Sequence, residues 1–209
     1  MREYFDGIIF RDILSAKNVR ETAKLTELAY YALTNISTEL SYSKISSATK
    51  ININTLREYL NYFEEAYLLF QLRYFSYSVK ESIRVQMPRK IYCIDNGLRN
   101  AAGFRFSKDL GRLAENAVMI ELKRRGEETY YWKSQRNHEV DFVVKAKDGH
   151  LSAINVTYTD KIDEREAKSL NEFRKNFNKA KELVILTDDL EKNEGGIQHI
   201  PLWKWLLIG

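Results

Sequence analysis

The spacing of apolar residues changes partway along this chain, and this change limits the fold more than any other feature. Over residues 20–36, and again over residues 53–63, apolar side chains recur at helical intervals. Later runs, such as residues 90–94, are short and rich in β-branched and aromatic residues, as buried strands are. The sequence therefore predicts a helical first part followed by a part built around a sheet.

Two short helices in the first part predict a helix-turn-helix. Ser41 and Ser43 are candidate N-caps for a helix through residue 49, and a tight connection at residues 50–52 leads into a second helix. In that second helix one stripe of apolar side chains is expected to be buried, namely Ile53, Leu56, Leu60 and Phe63. Strand-like runs at residues 67–72 and 90–94 then flank a polar stretch. This pattern predicts a winged-helix module, with N-terminal helices, over residues 1–90.

The second part has the order of segments found in one type of nuclease core. A helix near residues 111–125, ended by Gly126, precedes three strands, a polar helix and a fourth strand. The strands are predicted at residues 129–132, 139–144, 151–156 and 183–186, and the polar helix at residues 163–178. This α-β-β-β-α-β order predicts a restriction-endonuclease-like domain of the PD-(D/E)xK type over residues 91–209. The fold class expected for the whole chain is α+β.

Five residues occupy the positions at which such a core holds its metal ion, namely Glu115, Glu139, Asp141, Asn155 and Thr157. In an active site, an acid and a lysine two residues apart on the third strand share a face. The acid helps to bind Mg²⁺, and the lysine helps to orient the attacking water and to stabilise negative charge. Here Asn155 replaces the acid and Thr157 replaces the lysine. Losing one well-placed catalytic group commonly lowers the rate by about 10²–10³. We therefore expect a vestigial or weak Mg²⁺ site and assign no catalytic residue. The alternative is an endonuclease in which Glu139, Lys133 or Lys145 compensates.

Polar side chains of the predicted second helix and wing are candidates for nucleic-acid contact. Asparagine and arginine suit base edges and phosphates, and lysine suits phosphates. The candidates are Asn52, Asn54, Arg57 and Asn61 on the helix, and Lys80, Arg84, Arg89 and Lys90 on the wing. Three acidic residues, Glu58, Glu64 and Glu65, oppose a deep approach to DNA. A solvated helix or a protein-docking surface is the alternative interpretation.

Composition bounds the partners and the compartment. Lys and Arg number 33 against 29 Asp and Glu, and this net charge of +4 permits nucleic-acid contact without demanding it. Cys93 is the single cysteine, so a reducing, cytoplasmic location and a buried core position are expected. No apolar run approaches the roughly 20 residues that span a bilayer, so no membrane partner is expected.

Short stretches spread over nearly the whole chain resemble a known family. They lie at residues 10–13, 59–60, 64–68, 75–78, 94–98, 111–116, 121–126, 139–143 and 201–206. Together they resemble the C-terminal region of archaeal and bacterial AAA-type ATPases that end in a conserved domain of unknown function. Members of that family place a nucleotide-binding domain before this region. No G-x-x-x-x-G-K-(S/T) motif is present here, so no ATP site is expected in this chain.

The resemblance and the altered motif together give an expected function. The missing lysine is similar to what this family often shows, which favours an inactive nuclease-like domain. We expect a non-catalytic portion of an AAA-type ATPase that binds nucleic acid or a partner. The expected partners are double-stranded or branched DNA, an ATPase domain or full-length family member, or a second copy of the chain. The alternatives are a Mg²⁺-dependent DNA endonuclease and a pure protein-interaction scaffold.

Overall fold

The computed structural model describes residues 1–77, 88–103, 110–159 and 161–208. The chain has a mixed α/β fold with a large mixed sheet and helices. It divides into two compact units. Of the described residues, 1–71 and 88–103 belong to the first unit, and 72–77 with those from 110 onward belong to the second. The boundary expected near residue 90 differs from this division, because unit membership follows packing and strand pairing rather than chain order.

The first unit is mostly helical, as the spacing of its apolar residues predicted. Its helices are α1 (Arg2–Gly7), α2 (Ser15–Lys17), α3 (Thr22–Thr34), α4 (Tyr42–Thr49), α5 (Ile53–Glu65) and α6 (Asn96–Ala102), with a π-helical segment at Ile8–Leu14. Strand β1 (Thr38–Glu39) pairs antiparallel with β3 (Lys90–Cys93). Strand β2 (Leu69–Tyr74) begins in this unit and ends in the second. Cys93 is fully buried, as expected, and burial raises the pKa of its thiol to about 11.

Helices α4 and α5 are two short helices joined by a tight connection, as the sequence predicted. The Ser41 hydroxyl accepts from the Lys44 N–H at 3.4 Å, and the Asn52 side chain accepts from the Thr55 N–H at 2.9 Å, so each helix has a side-chain N-cap. Lys50, with a φ of 57°, makes the turn between them. Leu56, Leu60 and Phe63 are fully buried, whereas Ile53 is 39% exposed and was wrongly placed in the stripe. Ile53 is the first residue of α5, where the helix has only begun to pack.

The second unit is built on a mixed sheet with strand order β2-β4-β5-β6-β7-β9-β8. Its strands after β2 are β4 (Glu128–Lys133), β5 (Glu139–Lys145), β6 (Leu151–Val156), β7 (Ala180–Thr187), β8 (Lys192–Glu194) and β9 (Ile197–Pro201). Its helices are α7 (Leu110–Arg124), α8 (Glu164–Asn176) and α9 (Leu202–Leu207). Strands β4, β5 and β6 form an antiparallel meander, and β6 and β7 are parallel, with α8 as the crossover between them. The order α7-β4-β5-β6-α8-β7 is the order of segments that the sequence predicted.

An aromatic cluster fixes α8 against this sheet. The rings of Trp132 and Phe173 lie 5.4 Å apart between centroids, and those of Phe173 and Phe177 lie 4.5 Å apart. Phe75, just after β2, adds a ring 6.1 Å from that of Phe173. Such aromatic pairs contribute about 0.5–1.5 kcal/mol each beyond their area burial. The cluster therefore sets the distance and rotation of α8 over β5 and β6, where the candidate site lies.

Candidate functional site

The register of β5 and β6 places Asp141 opposite Asn155. Phe142 pairs with Ile154 and Val143 with Ala153, so the next pair along the two antiparallel strands is Asp141 with Asn155. Their contacts agree with this register. The Asn155 side-chain oxygen accepts from the Asp141 N–H at 3.2 Å, and the Asp141 carboxylate accepts from the Val156 N–H at 3.0 Å. The structure therefore brings together Asp141, the acid predicted on β5, and Asn155, which replaces the expected acid on β6.

The Asn155 side chain is fully buried, and protein groups occupy both of its ends. Its amide nitrogen donates to Glu166 Oε2 at 2.6 Å and to Ser169 Oγ at 2.9 Å, both on α8. Ser169 in turn donates to the Glu166 carbonyl at 2.9 Å. We call Asp141, Asn155, Glu166 and Ser169 the Asn155 cluster. A carboxylate at residue 155 has no N–H with which to make the two bonds to α8, so the amide is suited to this network.

Glu166 is the carboxylate that sequence reasoning missed. Burial and, after it, the charge of Asp141 raise the pKa of Glu166 above its usual range, while the Asn155 hydrogen bond acts in the opposite direction. Its side chain is 17% exposed. Glu166 and Ser169 are three residues apart, so they share a helix face, and this spacing was the available signal. The sequence did not show which face of the polar helix α8 would pack against the sheet.

The remaining metal-site candidates are not part of this cluster. Glu139 is partly exposed, with its carboxylate 3.7 Å from the Lys133 ammonium. Glu115 is half-buried on α7, and the Thr157 backbone N–H donates to the Leu186 carbonyl at 2.8 Å. Lys145 lies at the far end of β5, 3.2 Å from Glu128. Across the described ranges, no group of three or more His, Cys, Asp or Glu is placed to hold a metal ion.

The donor set of the Asn155 cluster does not fit Mg²⁺. This ion requires near-ideal octahedral oxygen coordination and usually takes one or two carboxylates together with water. The Asn155 oxygen and one Asp141 oxygen already accept backbone N–H groups, and the raised pKa of Glu166 disfavours its ionised form. The cluster is therefore organised as a hydrogen-bond network within the fold.

The nucleic-acid candidates on α5 are only partly available to a ligand. Asn54 is exposed, whereas the exposed Asn52 uses its side-chain oxygen as the N-cap of α5. Arg57 is half-buried, with its guanidinium 5.2 Å from the centre of the Tyr42 ring. The exposed Asn61 accepts from the Gln71 amide at 3.3 Å. On the same helix Glu58 accepts from the Tyr62 hydroxyl and raises the pKa of that hydroxyl to about 12.

The wing candidates have different outcomes. Lys90 is 2% exposed within β3, so the interpretation of Lys90 as a phosphate contact is corrected: a buried ammonium cannot reach a DNA backbone. Arg89 is half-buried and donates to the Gln71 side chain at 3.2 Å. Lys80 and Arg84 lie outside the described residues.

The C-terminal tryptophans are held by nearby side chains. Arg125 donates to the Trp205 carbonyl at 2.9 Å and lies 4.2 Å from the centre of the Trp205 ring. Arg125 is oriented by Glu121, and hydrogen bonds from Arg124 and Arg125 lower the pKa of Glu121 to about 2. Trp203 is 55% exposed and donates to Asp189 at 3.2 Å. No described helix combines the length and the apolar character needed to cross a membrane.

Two curated relatives match almost the whole chain. One is an uncharacterized protein of Methanocaldococcus jannaschii, 31% identical over 99% of this chain and 49% of its own length. The other is an uncharacterized protein of Haemophilus influenzae, 26% identical over 97% of this chain and 50% of its own length. The chain thus spans about half the length of the curated relatives it matches. No solved structure matches it.

Two family models match consecutive parts of the chain, and both describe domains of unknown function. Residues 110–205 match the domain of unknown function DUF4143, and residues 1–110 match the domain of unknown function DUF8612. The DUF8612 match, over residues 1–110, covers more than half of the 209 residues. The chain therefore belongs to the DUF8612 family and is similar to DUF4143 domains over its remaining part.

Proposed function

We propose that this chain is a non-catalytic, nucleic-acid-binding portion of an AAA-type ATPase. The observation that carries the non-catalytic part of the proposal is the Asn155 cluster. At the position where a PD-(D/E)xK nuclease has a metal-binding acid, a buried amide donates to Glu166 and Ser169 and accepts from the Asp141 N–H. An oxygen that already serves the fold is a poor Mg²⁺ ligand.

The arrangement of elements supports a role in binding nucleic acid. Helices α4 and α5, followed by strands β2 and β3, have the order of a winged helix, in which the second helix enters the major groove. The order α7-β4-β5-β6-α8-β7 is that of a restriction-endonuclease-like domain. Both observations support the proposal by analogy of element order. Because one fold can carry many functions, the residues at each site determine the function.

The sequence resemblance and the length of the relatives support the assignment to an ATPase. The stretches that resemble the C-terminal region of AAA-type ATPases extend over both units, and the curated relatives are about twice as long as this chain. Their other half is long enough to hold a nucleotide-binding domain. This chain has no P-loop motif, so ATP hydrolysis would belong to such a domain.

The alternative function is a Mg²⁺-dependent endonuclease with a rearranged site. The observation in its favour is the Lys133 ammonium, which lies 3.7 Å from Glu139, two residues before Asp141 on β5. This lysine would replace the cation that Thr157 does not supply. The altered acid at residue 155 and the position of Glu166 both count against it.

A single series of measurements tests both functions. Labelled duplex and branched DNA are titrated with the full chain from about 50 to 200 mM salt with Mg²⁺ present, and the same samples are run for cleavage products. Binding that weakens steeply with salt, without cleavage, would support the proposal. Cleavage that Asp141→Ala abolishes would establish the endonuclease instead. If DNA is neither bound nor cleaved, the result would favour a protein-interaction scaffold. The exposed Trp203 would then be the first residue to change in a test of partner binding.

A variant pair locates any duplex binding on α5. Asn54→Ala removes an exposed polar side chain near the start of the helix. The matched control is Asn178→Ala, an exposed asparagine in the second unit. If α5 reads base edges, the first change should weaken specific binding by about 1–3 kcal/mol and the second should have no effect.

A further inference from the structure

An open cleft runs along one side of α8 in the second unit. One wall is α8 itself, and the other is the turn between β4 and β5, including Ser134 and Arg136. Its volume is about 900 Å³. This lies at the upper end of the roughly 300–1,000 Å³ typical of ligand pockets, so the cleft is large enough for a nucleotide or a short stretch of one strand.

Basic side chains outnumber acidic ones among the described residues that line the cleft. Lys133, Arg136, Lys168 and Lys175 line it, and Glu172 is the single carboxylate among the described residues that do so. Glu172 contacts the His138 ring, which also lines the cleft. Lys168 lies 2.7 Å from Glu164, but their side chains are 61% and 84% exposed, and such surface pairs hold a lysine only weakly. The local charge is therefore positive, although the charge of the whole chain is only +4.

The cations lie on both walls of the cleft. Lys168 and Lys175 are seven residues apart on α8, which is about two turns or 10 Å along the helix axis. Asn171 lies between them on the same face and also lines the cleft. Across from them, Lys133 and Arg136 lie on the β4 side. Charges spread over this length suit a chain of phosphates better than one isolated phosphate group.

Aromatic rings line the same cleft. Tyr74 and Phe177 are half-buried, and Trp132 lies beneath them at 5% exposure. The Tyr74 hydroxyl donates to the Lys133 carbonyl at 3.2 Å, which fixes that ring at the edge of the cleft. A positively charged groove that combines cations with aromatic rings is the usual means of binding a single strand, because every base has a face that stacks.

We propose that the cleft between α8 and the β4–β5 turn binds the backbone of single-stranded nucleic acid. Lys133, Arg136, Lys168 and Lys175 contact phosphates, and Tyr74 or Phe177 stacks with a base. This inference rests on the proposed nucleic-acid-binding function and deepens it by naming a site and a strand type. The first unit, with its helix-turn-helix pair, remains the candidate for duplex contact.

The test is a salt series of single-strand binding to the full chain. The probe is a fluorescein-labelled oligothymidylate of about 12 nucleotides, within the range that one binding site covers. The variant is Arg136→Ala with Lys175→Ala, two exposed cleft cations. The matched control is Lys147→Ala with Lys181→Ala, two exposed cations of the same unit that do not line the cleft.

The cleft variant should bind the probe about tenfold more weakly, and its log–log salt slope should fall by about 0.7 for each phosphate that the variant no longer neutralises. The control should bind as the wild type does. If nucleic acid binds and both double variants bind equally well, the cleft assignment is overturned while the proposed function stands. If neither single strands nor duplexes bind, both are overturned.

A competition arm distinguishes nucleic acid from other polyanions. Polyglutamate of matched charge is added to the complex between the wild-type chain and the oligothymidylate. Displacement at much higher polyglutamate than unlabelled oligothymidylate supports a site for phosphates and bases. Equal displacement by both overturns the assignment in favour of an acidic peptide ligand.

Discussion

The Asn155 cluster and the cleft both lie against α8, yet they use their polar groups in opposite ways. In the cluster, the amide of Asn155 is buried and bonded to Glu166, Ser169 and Asp141. In the cleft, Asn171 is half-buried, and Arg136 and Lys175 are exposed. The Asn155 amide has exchanged water for protein partners, whereas the side chains of Arg136 and Lys175 still face water.

This difference separates a stabilising site from a binding site. Removing one partner of a buried hydrogen bond leaves the others without water or a replacement, whereas an exposed side chain is replaced by solvent. Changes in the cluster should therefore alter the free energy of unfolding. Changes in the cleft should alter ligand affinity and leave that free energy almost unchanged.

The largest effect is expected from Asn155→Asp. This change puts a carboxylate in a buried position between Asp141 and Glu166 and removes both donors to α8. An uncompensated buried charge costs about 3–5 kcal/mol, so the free energy of unfolding at pH 7 should fall by about that amount in urea denaturation. At pH 5 the loss should be smaller, because protonation neutralises the new acid. If Mg²⁺ or Mn²⁺ restored the stability of this variant, replacing the amide by a carboxylate would be sufficient to turn the cluster into a metal site.

A smaller loss is expected from Asn155→Ala. Truncation leaves the Asp141 N–H and the Ser169 hydroxyl short of a partner, and a group left in this way costs about 1–3 kcal/mol. The free energy of unfolding should fall by roughly 3 kcal/mol. Asn171→Ala, a change of the same residue type in the cleft, should stay within about 0.5 kcal/mol of the wild type. Equal losses in the two variants would contradict the distinction between the regions.

The pH dependence of stability should report on Glu166. Its raised pKa means that the folded chain holds this proton more tightly than the unfolded chain does. Its contribution to the free energy of unfolding is therefore fully present below the unfolded pKa, and it is lost as the pH rises through the higher folded pKa. Glu166→Gln keeps an acceptor for Asn155 and removes the titration, so denaturation midpoints of this variant should change less with pH in that range. An unchanged profile would mean that another group causes the dependence.

The smallest effect is expected in the cleft from Glu172→Gln. Removing the carboxylate among the described lining residues makes the cleft more positive, so single-strand affinity should rise by about twofold. Fluorescence anisotropy with the oligothymidylate measures this rise. The control is Glu191→Gln, an exposed acid that pairs with Lys204 away from the cleft. Weaker binding by Glu172→Gln would indicate that the contact with His138 shapes the cleft more than the charge does.

Local features of the structure were predictable from the sequence, because short-range physics sets them. Helix spacing located α3 and α5, and the cap preference of serine marked Ser41. The cap role of Asn52 was not predicted, because this residue was interpreted as a nucleic-acid contact. The start of β2 was predicted two residues too early: Tyr67 has a φ of 53° and is 68% exposed, so the strand begins at Leu69. A residue with a left-handed backbone conformation commonly ends a helix, and it lacks the extended backbone of a strand residue.

Features that depend on distant partners could not be predicted. The burial of Lys90 follows from the packing around β3, where every residue is buried. The role of Glu166 depends on the face that α8 presents, which the aromatic cluster around Phe173 determines. The expected ligands Glu139, Asp141 and Asn155 do lie on neighbouring strands. Their hydrogen-bond partners include Ser169, which accepts from the Asn155 amide, and Val156, whose N–H donates to Asp141. Neither Ser169 nor Val156 belongs to a motif.

The path of β2 has a consequence for how the second unit is inherited. Arg73 and Tyr74 pair in parallel with Tyr130 and Tyr131 of β4, and the Phe75 N–H donates to the Tyr131 carbonyl at 2.7 Å. The two family models, however, meet at residue 110. A gene segment that began there would encode β4 without its parallel neighbour and an aromatic core without Phe75. Recombination at that junction would thus exchange an incomplete unit, and the two parts of the chain are expected to be transmitted together.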